Sequence, residues 1–376
     1  MYVKFLMKSV VKWLVDVSFR PPRHTYDNNR TVSVVTTNKN VYIRKSCEFQ
    51  NSRGNKLFGS LWIDRASPMP SNCLLYLHSL GTNQFEALNL VPFMVSQDLA
   101  LFTFDFPGCG ISEGEYIPLD GSGIQDVLAA YDYLDQQFHF TKYAVWGRSM
   151  GAAIALHAVS ASNKFTCCVS DSAFQNTEAV VFDQADQNGI PRFAISLIEP
   201  FVKYQARKML HTNIISPYPL SEVPYSSTPL LMGHGKQDTF VSPSQAQHLF
   251  DSYGFADKQL YLFDARHNSV RPYQWYETAS RFIYRKLGIK PVKRYYDSIF
   301  TSSELHSGIQ EVILDDIDRS IQEAIDKELA KKVENAALAQ DIPQAPPPGH
   351  PTEQLSEEQP PSIETIPVVG KIEEKI

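Results

Sequence analysis

The chain has 376 residues, 43% of them apolar, and a formal net charge of -6. This length and composition allow a sizeable core, in one large α/β domain with tails or in two domains. The acidic balance argues against a nucleic-acid partner, because binding to a phosphate backbone needs clustered Lys and Arg.

Residues 1–24 are predicted to form an N-terminal amphipathic helix. Lys4, Lys8 and Lys12 recur every four residues and interrupt the apolar run, so neither a spanning helix nor a signal peptide is expected. Two interpretations stay open. The helix docks on the following domain, which we favour, or residues 1–17 make peripheral contact with a membrane.

Residues 25–290 are predicted to form an α/β domain with a mostly parallel central sheet and helices on both faces. A hairpin is expected over residues 41–64, and strand-like runs then alternate with helical segments. The predicted strands cover residues 74–77, 99–106, 142–146, 165–169, 229–232 and 259–263. The predicted helices cover residues 84–97 with a kink at Pro92, then 123–138, 152–158, 242–253 and 272–287.

An insertion at about residues 174–225 interrupts this alternation and is predicted to be a short helical lid. It is rich in aromatic residues, and Pro191 and Pro200 are expected to divide it into short helices. Because it lies between two core strands, above their carboxyl ends, it could form the wall of an acyl-binding pocket.

The chain is predicted to continue as a helical extension over residues 291–340 and as a disordered Pro/Glu-rich tail over residues 341–376. Within residues 311–333, the segment 321–329 resembles a ubiquitin-interacting motif, but Glu328 stands where that motif has its serine. We favour a plain amphipathic or self-associating helix, and weak ubiquitin-like binding stays open.

The segment Gly147-Arg148-Ser149-Met150-Gly151 follows a strand and precedes a helix, which is the context of a nucleophile elbow. Such a turn strains the backbone at Ser149, and the flanking glycines are needed because a Cβ is not easily accommodated there. The backbone N–H of Met150 would lie at a helix N-terminus, beside any oxyanion that forms.

A nucleophilic serine needs a base that a carboxylate orients, and both should follow core strands. His267 follows the last strand and is the predicted base, while Asp238 is the predicted acid and Asp171 its competitor. His78, His157 and His234 are expected to pack or to brace loops. Leu80, in the loop after strand 74–77, is predicted to donate the second oxyanion N–H.

The five cysteines, Cys47, Cys73, Cys109, Cys167 and Cys168, lack zinc-ligand spacing and are predicted to be buried free thiols. We therefore expect no metal and no cofactor. A reducing, cytoplasmic location follows by default, with attachment to a membrane surface as the variant that residues 1–17 allow.

Taken together, residues 41–287 resemble the α/β-hydrolase superfamily, and more closely its serine-aminopeptidase-like branch, which includes depalmitoylating proteins and an uncharacterised plant and protist group. The motifs that carry the resemblance are Arg20-Pro21-Pro22-Arg23, Asn51-Ser52-Arg53-Gly54, residues 105–114, Trp146 to Gly151, Asp171 to Phe174 and His267 to Pro272. One departure is His78-Ser79, where the family usually has His-Gly. A Cβ at Ser79 narrows the conformations of the loop that contains Leu80.

The resemblance implies this fold and a catalytic serine but does not fix the substrate. We predict a serine hydrolase that cleaves an ester or thioester through an acyl-enzyme, on a small-molecule or acyl-protein substrate, and the aromatic insertion between Phe174 and Tyr204 indicates an apolar acyl group. Two alternatives stay open. One is an aminopeptidase-type peptidase, which would want a carboxylate pair to hold a free amine. The other is a non-catalytic binding protein that acts through its C-terminal helix.

Overall fold

A computed structural model describes residues 19–29, 31–36, 40–67, 70–96, 98–187, 189, 191–210 and 219–290. By its contacts the chain divides into two units, Met1–Ile325 and Asp326–Ile376, and all described residues belong to the first. Residues 1–18 of the helix predicted over 1–24, the helical extension and the tail lie outside the described residues, and the described residues 21–24 are not helical. The predicted domain boundaries therefore stay predictions.

A mostly parallel sheet forms the centre of the described part of the chain, as predicted. Its nine strands run in the order β1-β2-β3-β5-β4-β6-β7-β8-β9. They are β1 Val34–Thr36, β2 Val41–Gln50, β3 Lys56–Asp64, β4 Asn72–Leu77, β5 Leu99–Phe104, β6 Lys142–Arg148, β7 Cys167–Asp171, β8 Leu230–Gly235 and β9 Lys258–Phe263. Strands β1 to β3 join antiparallel, and β3 also lies antiparallel to β5. The remaining neighbours are parallel.

Helices cover both faces of this sheet, because the parallel strands are apolar on both sides. The helices are α1 Val91–Met94, α2 Gly123–Phe138, α3 Met150–Ala161, α4 Thr177–Gln187, α5 Arg192–Leu210, α6 Pro243–Ser252 and α7 Tyr273–Leu287. A 3₁₀ segment at Gln84–Leu90 leads into α1, so Pro92 lies in the first turn of a helix and does not kink one. One core layer lies against α2, α3 and α6, and the other against α1 and α7.

The prediction that two prolines divide the lid into short helices is wrong at Pro200. Helix α5 begins directly after Pro191, but Pro200 lies inside that helix, which continues to Leu210. A proline removes one hydrogen bond to the carbonyl four residues earlier, here that of Ser196. Ser196 and Pro200 are both exposed. Water can therefore satisfy the released carbonyl, and the helix persists.

The prediction of free cysteines is confirmed, since all five thiols are buried and unbonded to one another. Within the part of the chain that the structure describes, no helix is long and apolar enough to cross a membrane. The same residues contain no group of three or more His, Cys, Asp or Glu side chains that could hold a metal ion.

Candidate active site

The sharp turn between β6 and α3 places Ser149 at the carboxyl edge of the sheet. Its backbone has φ 50° and ψ -113°, a strained conformation that the sequence motif predicts. A Cβ atom at Gly147 would lie 2.0 Å from Gly151 O, and one at Gly151 would lie 2.0 Å from Leu77 O. The two glycines are therefore required by close backbone contacts on both sides of the serine.

Three predicted site residues meet at this turn. Ser149 Oγ lies 2.9 Å from His267 Nε2. On the other side of the ring, His267 Nδ1 lies 2.7 Å from Asp238 Oδ2. All three side chains are buried. The geometry allows the serine hydroxyl to donate to Nε2 while Nδ1–H donates to the carboxylate.

Asp238 is held by hydrogen bonds at both carboxylate oxygens. Oδ1 accepts the backbone N–H groups of Phe240 at 3.0 Å and Val241 at 2.9 Å. Oδ2 lies 3.2 Å from His234 Nε2 and also accepts from His267. Although burial opposes ionisation, the hydrogen bonds from His234 and His267 hold the pKa of Asp238 well below its usual value. The carboxylate is thus ionised and aligned with the imidazole.

Burial lowers the pKa of His267, while the hydrogen bond and charge of Asp238 act in the opposite direction. The positive charges of Arg271 and Arg148 lower it further. The Phe240 ring lies over the imidazole, with 5.0 Å between the centroids. His267 is therefore neutral at pH 7, as a general base must be.

Asp171, the competing acid, is engaged elsewhere. Arg271 Nε lies 3.0 Å from both carboxylate oxygens, and Trp275 Nε1 donates to Oδ2 at 3.0 Å. Although burial would raise the pKa of Asp171, the Arg271 guanidinium lowers it. Its backbone carbonyl accepts the N–H of Ser149 at 2.8 Å. Asp171 thus supports the elbow and the arginine, and Asp238 is the carboxylate that contacts the imidazole.

Of the three histidines predicted to have structural roles, His78 and His234 contact loop backbone, and His157 lies in a helix, as predicted. His78 accepts the Phe106 N–H at Nε2, 3.1 Å away, so Nδ1 carries the proton and donates to Ser79 O at 2.8 Å. His234 Nε2 lies 2.9 Å from Val241 O. His157 lies inside α3 and is buried. These contacts agree with the predicted packing and bracing roles.

The predicted oxyanion donors lie on two segments that pack closely. Residues 78–83, here called the oxyanion loop, follow β4 and contain Leu80, which is partly buried against the core. Met150 is the buried first residue of α3. A Cβ at the next residue, Gly151, would approach both Leu77 O and His78 O. The start of α3 therefore lies against the start of the oxyanion loop.

Two buried arginines near the site were not predicted from the sequence. Arg148 Nη2 donates to His267 O at 3.3 Å and to Ser269 O at 3.5 Å, while Arg148 Nη1 lies 3.4 Å from Glu86 Oε1. Arg271 Nη1 donates to Arg266 O and Ser269 O. Both residues belonged to motifs singled out in the sequence, so their motif membership was the available signal. Together they hold residues 264–272, here called the histidine loop.

The sequence profile of the prolyl oligopeptidase family matches residues 118–290. Human Protein ABHD12B is 22% identical over 215 residues, which are 55% of this chain and 56% of that relative. The chain thus spans about half the length of that curated relative.

Solved structures with a similar fold include the esterase Pf2001 of Pyrococcus furiosus, with a TM-score of 0.55 and 21% identity over 71% of this chain and 97% of that one. Acetyl xylan esterase 1 from Thermoanaerobacterium sp. has a TM-score of 0.50 and 15% identity over 74% of this chain and 93% of that one. At these identities the likeness shows the fold.

Proposed function

We propose that the chain is a serine hydrolase of the α/β-hydrolase superfamily, and that it cleaves an ester or thioester with an apolar acyl group. One observation carries the proposal. The strained Ser149, the neutral imidazole of His267 and the ionised carboxylate of Asp238 form a chain of hydrogen bonds, with 2.9 Å from Oγ to Nε2 and 2.7 Å from Nδ1 to Oδ2. Ser149 is the proposed nucleophile, His267 the base and Asp238 the acid.

In the first half of the reaction, His267 Nε2 accepts the hydroxyl proton as Ser149 Oγ forms a bond to the acyl carbon. Asp238 stabilises the resulting imidazolium and fixes its orientation. The tetrahedral intermediate collapses as the bond to the leaving oxygen or sulfur breaks, and His267 protonates that leaving group. In the second half, His267 takes a proton from water, the hydroxide attacks the acyl carbon, and the Ser149 oxygen leaves with that proton.

The developing oxyanion would be stabilised by the backbone N–H groups of Leu80 and Met150. Support comes from the start of α3, which packs against the oxyanion loop, and from Met150, whose N–H belongs to a helix N-terminus. Loss of one such donor costs about 3–4 kcal/mol of transition-state stabilisation in a well-measured protease.

An apolar acyl group is favoured by the exposed apolar side chains of Phe240 and of the predicted lid. Phe240 packs on the imidazole and is 40% exposed. The lid helix α5 presents Phe193, Leu197 and Tyr204, which are 70%, 76% and 63% exposed. An acyl chain that lies along such a surface would remove apolar area from water.

A peptidase of the aminopeptidase type is the second candidate, because the matching profile is that of a peptidase family. A non-catalytic binding protein is the third, with weak ubiquitin-like or self-association through residues 311–333. Peripheral membrane contact through residues 1–17, a cytoplasmic location and an acyl-protein substrate also stay proposals. Residues 1–17 and 311–333, which would mediate the membrane contact and the association, lie outside the described residues.

A fluorophosphonate probe tests the enzyme hypothesis directly. Wild-type protein should be labelled, and the Ser149→Ala variant should not. Labelling of neither would support the binding protein instead. A panel of p-nitrophenyl esters of increasing chain length, with aminoacyl-p-nitroanilides alongside, then tests the substrate class. A steady fall in kcat/KM with acyl length would refute the apolar acyl group, and faster cleavage of the anilides would favour the peptidase.

A further inference from the structure

The carboxylate of Glu86 lies between the oxyanion loop and the elbow. Glu86 belongs to the 3₁₀ segment Gln84–Leu90, and its side chain is 2% exposed. Oε2 accepts the backbone N–H of Ser79 at 2.6 Å and the hydroxyl of Thr82 at 2.9 Å. Oε1 accepts the hydroxyl of Ser79 at 2.8 Å and faces Arg148 Nη1 at 3.4 Å. Four donors from two segments thus converge on one buried carboxylate.

Arg148 continues this chain of contacts to the base. Its side chain is 4% exposed, and its second nitrogen donates to the backbone carbonyls of His267 and Ser269. The guanidinium is rigid, planar and always charged, so it fixes the position of the Glu86 carboxylate relative to the histidine-loop carbonyls that it binds. The contacts run from the oxyanion loop through Glu86 and Arg148 to the histidine loop.

We propose that Glu86 is a positioning residue that sets the oxyanion loop and the histidine loop relative to each other, through Arg148. This inference rests on the proposed hydrolase function and adds to it a role for a pair that touches neither substrate nor Ser149 Oγ. Acyl transfer requires that the oxyanion donors and the base act on one acyl carbon, so a small change in their separation is costly.

The departure at Ser79 fits this arrangement. The resemblance predicts glycine at this position, whereas the Ser79 hydroxyl supplies one of the four donors to Glu86. Ser79 is not among the described residues with positive φ, so its Cβ carries no backbone strain. The serine side chain therefore adds an attachment between the loop and the carboxylate.

Glu86→Gln tests this role closely, because glutamine keeps the shape of the side chain but replaces one of its two acceptor oxygens with an NH₂ donor. Each carboxylate oxygen accepts from or faces two donors, so either orientation of the amide turns its NH₂ group towards two of them. The substitution also removes one of the two negative charges, those of Glu86 and Asp171, that act on Arg148 near the imidazole. Arg148→Met removes the guanidinium charge and keeps Glu86. The two variants therefore disturb the same contacts with opposite electrostatic sign.

Asp126→Asn is the matched control. Asp126 is also buried, and it pairs with Arg53 at 2.7 Å and accepts from Asn51, neither of which belongs to the candidate site. Its loss should lower the melting temperature without changing the site.

The charged groups that face His267 are Asp238, Arg271 and Arg148, with His234 acting through Asp238.

The test compares full-length wild type with these three variants. We expect Glu86→Gln to lower kcat on p-nitrophenyl butyrate by about 10- to 100-fold with KM within about twofold, since an oxyanion donor that is lost outright costs 10²–10³. NMR of the His267 imidazole should show its pKa lowered by about half a unit in Glu86→Gln and raised by a similar amount in Arg148→Met. Asp126→Asn should leave kcat and the titration unchanged.

The proposal is overturned if the folded Glu86→Gln variant keeps kcat within about threefold, or if both variants titrate like wild type. If Glu86→Gln does not fold, the Arg148→Met titration decides alone. The NMR measurement needs no turnover. A wild type that resists the fluorophosphonate probe while the two variants still shift His267 in opposite directions would refute the hydrolase function but not the coupling between the loops.

Discussion

Replacement of Asp238 by Asn should abolish most of the activity because it forces the wrong tautomer on His267. The side-chain oxygen of the amide should stay where Oδ1 is now, since two backbone N–H groups point at it from Phe240 and Val241. The amide NH₂ then occupies the place of Oδ2, 2.7 Å from His267 Nδ1. A donor there makes Nδ1 the acceptor and moves the imidazole proton to Nε2.

With its proton on Nε2, the imidazole cannot accept the Ser149 hydroxyl proton. The same exchange in a well-measured serine protease lowers kcat by about 10⁴, which corresponds to about 5 kcal/mol of transition-state stabilisation. We expect a loss of that order here, because Oδ2 is the carboxylate oxygen that contacts the imidazole.

The measurement is kcat/KM on p-nitrophenyl butyrate, together with the rate of fluorophosphonate labelling and the melting temperature. Asp171→Asn is the control, since it removes a buried carboxylate from Arg271 and Trp275 while leaving the Asp238–His267 contact. That variant should melt earlier and lose far less labelling than Asp238→Asn, since the carboxylate that contacts His267 is kept. A folded Asp238→Asn variant with more than a tenth of wild-type activity would refute the tautomer argument, as would a selective loss in Asp171→Asn.

Three further results are expected. Gly151→Ala should prevent labelling or folding, because its Cβ would lie 2.0 Å from Leu77 O. The control Gly189→Ala has open space around its Cβ and should lower the free energy of unfolding by only about 1–2 kcal/mol, because of its positive φ. A Gly151→Ala variant with native-like circular dichroism and probe labelling would contradict this prediction. Only neutral His267 accepts a proton, and burial lowers its pKa, so kcat/KM should decrease as the pH falls, with a midpoint below the ordinary imidazole pKa of 6.5. A midpoint above about pH 7 would contradict this. Phe240→Ala should admit water to the ring and shift that midpoint upward, so an unchanged midpoint would mean that the ring contact does not desolvate the imidazole.

Much of the fold was predictable because buried parallel strands leave a strong local signal. Leu74 to Leu77 is a continuous apolar run, and it forms most of β4. The helix at Gly123–Phe138 was located by its apolar spacing. Ser149, Asp238 and His267 could be placed together because each follows a core strand at the same edge of the sheet.

What could not be predicted depends on contacts between distant segments. Glu86 looks like a surface residue of an amphipathic segment, and nothing in its spacing connects it with Arg148. Their pairing follows from the adjacency of β4 and β6, which the order of elements along the chain does not reveal. Pro200 was misjudged for a related reason, since its effect depends on whether water reaches the carbonyl of Ser196.

The nucleophile and its base are 118 positions apart, whereas the base and its acid are separated by only 29. During synthesis the elbow therefore leaves the ribosome long before β9 and the imidazole beyond it exist. A nascent chain that has completed α3 would hold the Ser149 hydroxyl without its proposed proton acceptor. The proposed activity would therefore arise late, once the last strand has joined the edge of the sheet.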